Sequence, residues 1–342
     1  MPSSRRGRTR RVAIATTLAM VGTGITYAPR AEAQQAVQGF ALERFAPSAP
    51  GAGWFVMDDV SMHGGLGGAV SLSGGYAHDA LRVTDGIDRL RVVSDQASFD
   101  VAMAVTYDRF RLYLDFTSPL IVKGDDSGGT ATIGAYQLSP PLVDLGLRPD
   151  VIADPRIGFD ARLFGEHDAP FRLGAGAQLY VPAGTRADYL TDGTYRAMLR
   201  VLVAGDLGRV SYAAHLGVHI RPLDDSPAPG SPQGSELLFG LAAGYRFPVD
   251  EAGHTVVVVG PEVYGESAFK SFLGTTSTGL EGLLTGRIEG TGDNGPQAQV
   301  KLGAGAGLNP HFGVPEWRFV LGVTLFDHHA GSAQSGQSGQ RK

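Results

Sequence analysis

Ala204-Gly-Asp-Leu-Gly-Arg-Val-Ser-Tyr-Ala-Ala-His-Leu-Gly-Val-His-Ile220 opens on a Gly/Asp turn and continues as a regular alternation. Val210, Tyr212, Ala214, Leu216, Val218 and Ile220 form one face, and Ser211, His215 and His219 stand on the other. A period of two belongs to an extended strand, whose successive side chains point to opposite sides. The same pattern recurs on either side. Phe99, Val101, Met103, Val105 and Tyr107 oppose Asp100, Ala102, Ala104 and Thr106. Ile157, Phe159, Ala161 and Leu163 oppose Asp160 and Arg162; Leu237, Phe239, Leu241, Ala243, Tyr245 and Phe247 oppose Glu236 and Arg246. Trp317, Phe319, Leu321, Val323 and Leu325 oppose Arg318 and Thr324.

Twelve strand-length segments can be read between Gly67 and Phe326, and their connections alternate between short and long. The short ones are Tyr107-Asp108-Arg109, Gly165 to Asp168, Ala204-Gly205-Asp206, Val249-Asp250-Glu251 and Gly292 to Gly295, rich in the Asp, Gly and Asn that close hairpins. The long ones are Thr84–Asp95, Val122–Pro155, Pro182–Gly193, Pro222–Gly234, Gly265–Gly279 and Asn309–Glu316. This rhythm predicts an all-β fold: a transmembrane antiparallel up-and-down β-barrel of about twelve strands, with short turns and both chain ends in the periplasm and long loops outside.

A soluble sandwich or lipocalin-like barrel would also alternate, so the second face discriminates. It mixes charges with Gly174, Gly176, Gly217, Gly240, Gly244, Gly303 and Gly305, which suits a narrow ion-paired lumen better than a surface in water. Tyr107, Phe116, Tyr195, Tyr245, Phe247, Trp317 and Phe326 near strand ends fit interfacial aromatic girdles.

The N-terminus reads as an export signal. Arg5, Arg6, Arg8, Arg10 and Arg11 precede an apolar run from Val12 to Ala28, and Ala31-Glu32-Ala33 offers a cleavage site. Residues 1–33 are thus a signal peptide cleaved near Ala33, 34–66 a periplasmic lead that lies outside or enters the barrel, 67–326 the outer-membrane barrel, and 327–342 a disordered polar tail. The whole chain carries a formal charge of −5; removing six Arg and one Glu with the signal leaves 23 basic against 33 acidic residues, about −10. That balance argues against nucleic acid as a partner. The chain has no cysteine, hence no disulfide and no thiolate site.

Gln38-Gly-Phe-Ala-Leu-Glu-Arg-Phe-Ala-Pro47 with Trp54-Phe-Val resembles the opening of mature OmpA-family outer-membrane proteins of myxobacteria and related bacteria. Asp160 to Gly165, Val203 to Asp206, Gly234 to Gly240, Gly260-Pro-Glu262 and Pro315 to Arg318 are similar to that family's barrel strands, in consistent order from Gln38 to Phe326. The resemblance implies the barrel and its membrane, with no catalytic or ligand residue to carry over. The Asp-rich repeats and peptidoglycan-binding domain of such proteins have no counterpart after Phe326, so a cell-wall tether is not carried over either. The partners expected are outer-membrane lipids and lipopolysaccharide, the barrel-assembly machinery and periplasmic chaperones.

Chemistry then has to come from the lumen. Asp100, Arg111, Asp115, Asp160, Arg162, Arg196, Arg200, His215, His219, Glu236, Glu262, Arg287, Lys301 and Arg318 are predicted to point inward, with Arg246, Glu281 and Glu289 beside them. Mixed signs on neighbouring strands predict ion pairs, which either fill a narrow barrel or line a constricted pore. His215 and His219 are four apart, roughly 13 Å along a strand, too far to share a metal. The Leu173-Gly-Ala-Gly-Ala and Leu302-Gly-Ala-Gly-Ala runs lie within strands and lack the helix a dinucleotide loop needs. Asp125-Asp126 and Asp224-Asp225 read as loop tips, and His328-His329 as part of the tail. No cofactor or metal is expected. The reading is a non-enzymatic outer-membrane barrel, structural or narrow and porin-like; the alternative is a membrane-embedded lipid-modifying or ligand-binding barrel.

Overall fold

The structure, a computed structural model, describes residues 35–134, 136–167, 169–223, 232–250, 255–290 and 297–329. Its long strands in chain order are β1 (Leu66–Thr84), β2 (Arg89–Tyr107), β3 (Phe110–Lys123), β4 (Arg156–Phe164), β5 (Arg172–Tyr180) and β6 (Arg196–Leu207). They continue as β7 (Val210–Ile220), β8 (Glu236–Pro248), β9 (Thr255–Ala268), β10 (Thr278–Gly290), β11 (Gln297–Asn309) and β12 (Trp317–His329). Each pairs antiparallel with its sequence neighbours, and β12 pairs with β1 from Trp317 opposite His78 to His329 opposite Leu66. The sheet therefore closes into a twelve-stranded up-and-down barrel. Closure satisfies the backbone groups that an open edge would leave bare in hydrocarbon.

The outside is apolar. Leu112, Phe159, Leu199, Val201, Leu216, Leu241, Leu284 and Leu321 are each between 45% and 60% exposed, whereas Arg111, Asp160, Arg200, Glu236, Arg287 and Arg318 on the same strands point in and are buried. A soluble barrel would invert this arrangement; a band of exposed Leu, Val and Phe around a charged interior needs lipid as its solvent. Tyr107, Phe110, Phe164, Phe171, Tyr245 and Phe247 stand outward near the short turns, and Tyr195, Phe269, Phe272 and Trp317 near the long loops, as two girdles.

Local chemistry sets the turns. β2 and β3 join through Asp108-Arg109, with Asp108 at a φ of 54°. β6 and β7 join through Gly208-Arg209, where Gly208 supplies a φ of 62°. That is later than the expected turn: Gly205 and Asp206 lie inside β6, paired with Tyr212 and Ser211. The expected turn at Gly292–Gly295 lies outside the described residues, as do Glu251 and Asp224-Asp225. Thr84–Asp95 is not a long link. β1 and β2, at 19 residues each the longest strands, continue past the barrel wall to a tight turn at Asp85 to Asp88. The Asp85 carboxylate accepts from the Ile87 and Asp88 amides at 3.0 and 2.8 Å. The charges between Arg89 and Ser94 that look like loop sit on a hairpin extension. β12 likewise runs past Phe326 to His329, so His328 and His329 belong to the last strand.

Candidate functional site

The lumen is occupied by the chain's own N-terminal segment. Gln35 and Ala36 pair in parallel with Tyr136 and Gln137 in the long β3–β4 loop. At the other end the Asp108 amide donates to the Gly65 carbonyl at 2.8 Å beside the β2–β3 turn. Between these points the segment crosses the barrel from the long-loop end to the short-turn end, and β1 starts from there. Of the two placements expected for the lead, it takes the inner one. Both strand ends, Leu66 and His329, lie at the short-turn side, but the described start of the chain at Gln35 lies at the opposite side. The reason is burial. Phe40, Leu42, Trp54, Phe55, Val56, Met57 and Val60 are each no more than 3% exposed, and the barrel interior with its loops is the apolar shelter the segment finds.

Two apolar clusters divide its length. Phe40 and Leu42 pack with Leu81, Val92, Val122, Ile133, Tyr189 and Phe312 under the long loops. Phe45, Trp54, Phe55, Met57 and Val60 pack against Leu202, Ala213, Val258, Tyr264, Leu283 and Val320 on the wall. Inward glycines make room for these side chains. A Cβ on Gly240 would come within 2.4 Å of the Met57 Cε, one on Gly244 within 2.7 Å of Trp54, and one on Gly303 within 2.9 Å of Phe55. Gly240, Gly244 and Gly303 on the polar face thus fit the segment, whereas Gly176, Gly217 and Gly305 lie against atoms of the barrel wall.

Polar contacts fix its backbone. The Glu262 carboxylate accepts from the amides of Phe55 and Val56 at 2.9 Å each and Met57 at 3.4 Å, and from the Thr285 hydroxyl at 2.6 Å. Lys301 Nζ donates to the carbonyls of Ala52 and Trp54 at 3.1 and 3.0 Å, and Arg287 to that of Gly53 at 3.2 Å. Arg156, Arg162 and Arg172 hold the carbonyls of Pro47, Met62 and Asp59. An irregular segment carries unpaired amides and carbonyls, and buried ones need partners. The luminal charges supply them.

Side-chain charges on the segment complete the pairing. Asp58 lies 2.9 Å from both Arg111 and Arg200, and Asp160 reaches the same two at 2.7 and 3.5 Å. Arg44 bridges Glu236 and Glu266 at 2.8 Å each. Glu43 meets Arg318 at 3.0 Å, and Arg318 also meets Glu281 at 2.7 Å. Arg287, Lys301 and Arg318 additionally stack over Trp54, Phe55 and Phe45.

The structure buries Asp100, Arg111, Asp115, Asp160, Arg162, Arg196, Arg200, His219, Glu236, Glu262, Arg287, Lys301 and Arg318, and half-buries His215, all facing inward. Neighbouring-strand pairs form between Arg111 and Asp160 and between Arg156 and Asp115, while Asp100 accepts from the Thr117 hydroxyl at 2.6 Å. Arg196 meets Asp154 of the β3–β4 link at 3.1 Å. His215 and His219 are not brought together at one site. Sequence reasoning missed Arg44, Asp58, Asp192, Arg221 and Glu266. Asp58-Asp59 and Glu43-Arg44 within an otherwise apolar lead were the available signal, since charges in such a stretch need partners.

Under the long loops, Arg221 donates two hydrogen bonds of 2.8 Å to Asp192, which also accepts from the Ala41 amide at 2.8 Å. Burial would raise the Asp192 carboxyl, but the Arg221 guanidinium, with Arg196 and that amide, holds it well below the usual carboxylate range. Arg148 pairs with Asp188 at 2.8 Å in the same cap.

Two small cavities lie beside the segment among the described residues. One cavity of about 40 Å³ is bounded by Arg44, Val56, His215, Tyr264, Glu266 and His311. Another of about 70 Å³ is bounded by Arg44, Phe45, Asp115, Arg156, Arg196 and His219. Each has room for a few water molecules. Arg44 forms part of both walls.

No protein-family model matches the chain, and no curated protein does. Among solved structures it is similar to an outer membrane channel from Pseudomonas putida F1, at 15% identity over 78% of this chain and 96% of that one, with a TM-score of 0.48. It is also similar to the NanC porin (4% identity, 76% and 100% covered, TM-score 0.43) and to the CymD monoaromatic hydrocarbon channel (10%, 80% and 91%, TM-score 0.38).

Proposed function

We propose that this protein is a non-enzymatic, porin-like barrel of the outer membrane, closed at rest by residues 37–62, which passes small polar solutes when that segment shifts. The observation that carries the reading is the means of attachment. Lys301, Arg287, Arg162 and Arg172 hold the segment chiefly through its carbonyls, and Glu262 holds it through its amides. Such contacts exchange with water more readily than a continuous strand pairing would. Withdrawal would leave a corridor lined by charges of both signs, suited to hydrated ions and small zwitterions. Export through a signal cleaved near Ala33, kinship with the OmpA-family proteins of myxobacteria, and contact with lipopolysaccharide, periplasmic chaperones and the assembly machinery belong to the same proposal.

Conductance of the refolded protein in planar bilayers tests it. Long silent periods broken by brief openings are expected, with the open fraction raised by Glu262→Ala. Silence of both proteins at high salt under applied voltage would leave a purely structural barrel.

A further inference from the structure

The chemistry at the long-loop end of the lumen points to a second ligand. His219 of β7, Glu236 of β8 and Glu266 of β9 present one ligand atom each, all within 4.8 Å of one another. His219 Nδ1 lies 3.7 Å from Glu236 Oε2 and 3.7 Å from Glu266 Oε2. A point equidistant from these three atoms is about 2.0–2.4 Å from each, overlapping zinc–nitrogen and zinc–oxygen bond lengths. His219 is 2% exposed, and neither of its ring nitrogens has a hydrogen-bond partner. A buried imidazole aimed unpaired at two carboxylates is the donor set of a transition metal, since calcium and magnesium favour oxygen alone.

A cation already stands there. Arg44 NH1 is 2.8 Å from the same two oxygens, Glu236 Oε2 and Glu266 Oε2. Arg221 also reaches Glu236, but through Oε1 at 3.3 Å, and its other nitrogens are committed to Asp192. Arg44 is therefore the charge that satisfies this pair of carboxylates, and it belongs to the N-terminal segment. The two cavities that meet at Arg44 give room for the waters that would complete a metal's coordination.

We propose that His219, Glu236 and Glu266 form a divalent transition-metal site that Arg44 masks, so that metal and the seated segment compete for one place. The site stands on its own geometry; its coupling to opening rests on the segment movement proposed above.

Zinc titration calorimetry on the refolded full chain in detergent tests the site. Arg44→Ala should bind one zinc ion roughly tenfold or more tightly than the wild type, and adding His219→Ala should remove the gain. Arg44→Ala binding no more tightly than the wild type, or a gain that survives His219→Ala, overturns the site. Arg44→Gln, which keeps hydrogen-bonding capacity, takes its place if Arg44→Ala lacks the heat-modifiable gel shift of a folded barrel. Competition is tested with Arg44 in place: saturating zinc should speed maleimide labelling of a Met57→Cys thiol, and His219→Ala should abolish the effect. Zinc-independent labelling refutes the competition even where the Arg44 variant binds metal.

Discussion

Glu262→Ala should loosen the N-terminal segment without dismantling the barrel. In the structure this one carboxylate accepts two amide hydrogen bonds of 2.9 Å, a third of 3.4 Å and the Thr285 hydroxyl. Hydrogen bonds to a charged group contribute about 1.5–3 kcal/mol each, so the two short amide bonds alone give about 3–6 kcal/mol. At about 1.4 kcal/mol per decade, the seated population relative to the withdrawn one should fall by roughly two to four orders of magnitude. The native chain lacks cysteine, so a single thiol can report this. Met57 is 0% exposed, and Met57→Cys should react with a membrane-impermeant maleimide only when the segment opens. With reclosing fast relative to labelling, the rate follows the opening equilibrium and should rise at least about a hundredfold in Glu262→Ala. The heat-modifiable gel shift should persist. An unchanged labelling rate would refute the claim that Glu262 anchors the segment.

Three further predictions follow from the same geometry. Gly244→Leu puts its Cβ 2.7 Å from Trp54 and should destabilise seating by about 1–3 kcal/mol, read as faster labelling at position 57; equal rates would show that the glycine is not there to admit the indole. Val201→Arg, on the outward face of β6, should cost about 2–4 kcal/mol of folding stability in lipid, whereas a change within about 0.5 kcal/mol would place that face in water. Because the Asp192 carboxyl is held below its unfolded value of about 3.9, its contribution is present above that pH and lost as pH falls through the folded value. Melting temperature should therefore drop on acidification below about pH 4 in the wild type and less steeply in Asp192→Asn; parallel curves for the two proteins would contradict the assignment.

The barrel was legible because its rules are local. Two-residue alternation in Val210–Ile220 and Trp317–Leu325, with turn residues at Asp108 and Gly165, specifies strands and their facing without knowledge of their partners. Inward placement of Arg111, Asp160 and Lys301 followed from the same parity. The hairpin extension was misread because the Arg89–Ser94 charges look like loop, although Asp85-Gly86 carried a turn signal. The filled lumen depends on long-range complementarity. Nothing in Glu262 announces three amides more than two hundred residues away, and Gly240 or Gly303 alone cannot tell a hydrated lumen from a socket for Met57 or Phe55. The role of Arg44 was hidden for the same reason: its partners Glu236 and Glu266 share the β8–β9 hairpin, 192 and 222 residues further along the chain.

Closure by a movable N-terminal segment is tested most directly by a reversible lock. The Val60 Cβ lies 3.6 Å from where a Cβ on Gly174 would stand, within the span of a disulfide. In planar bilayers, Val60→Cys/Gly174→Cys should be silent when oxidised and open in bursts after reduction. The same conductance in both redox states would contradict the account.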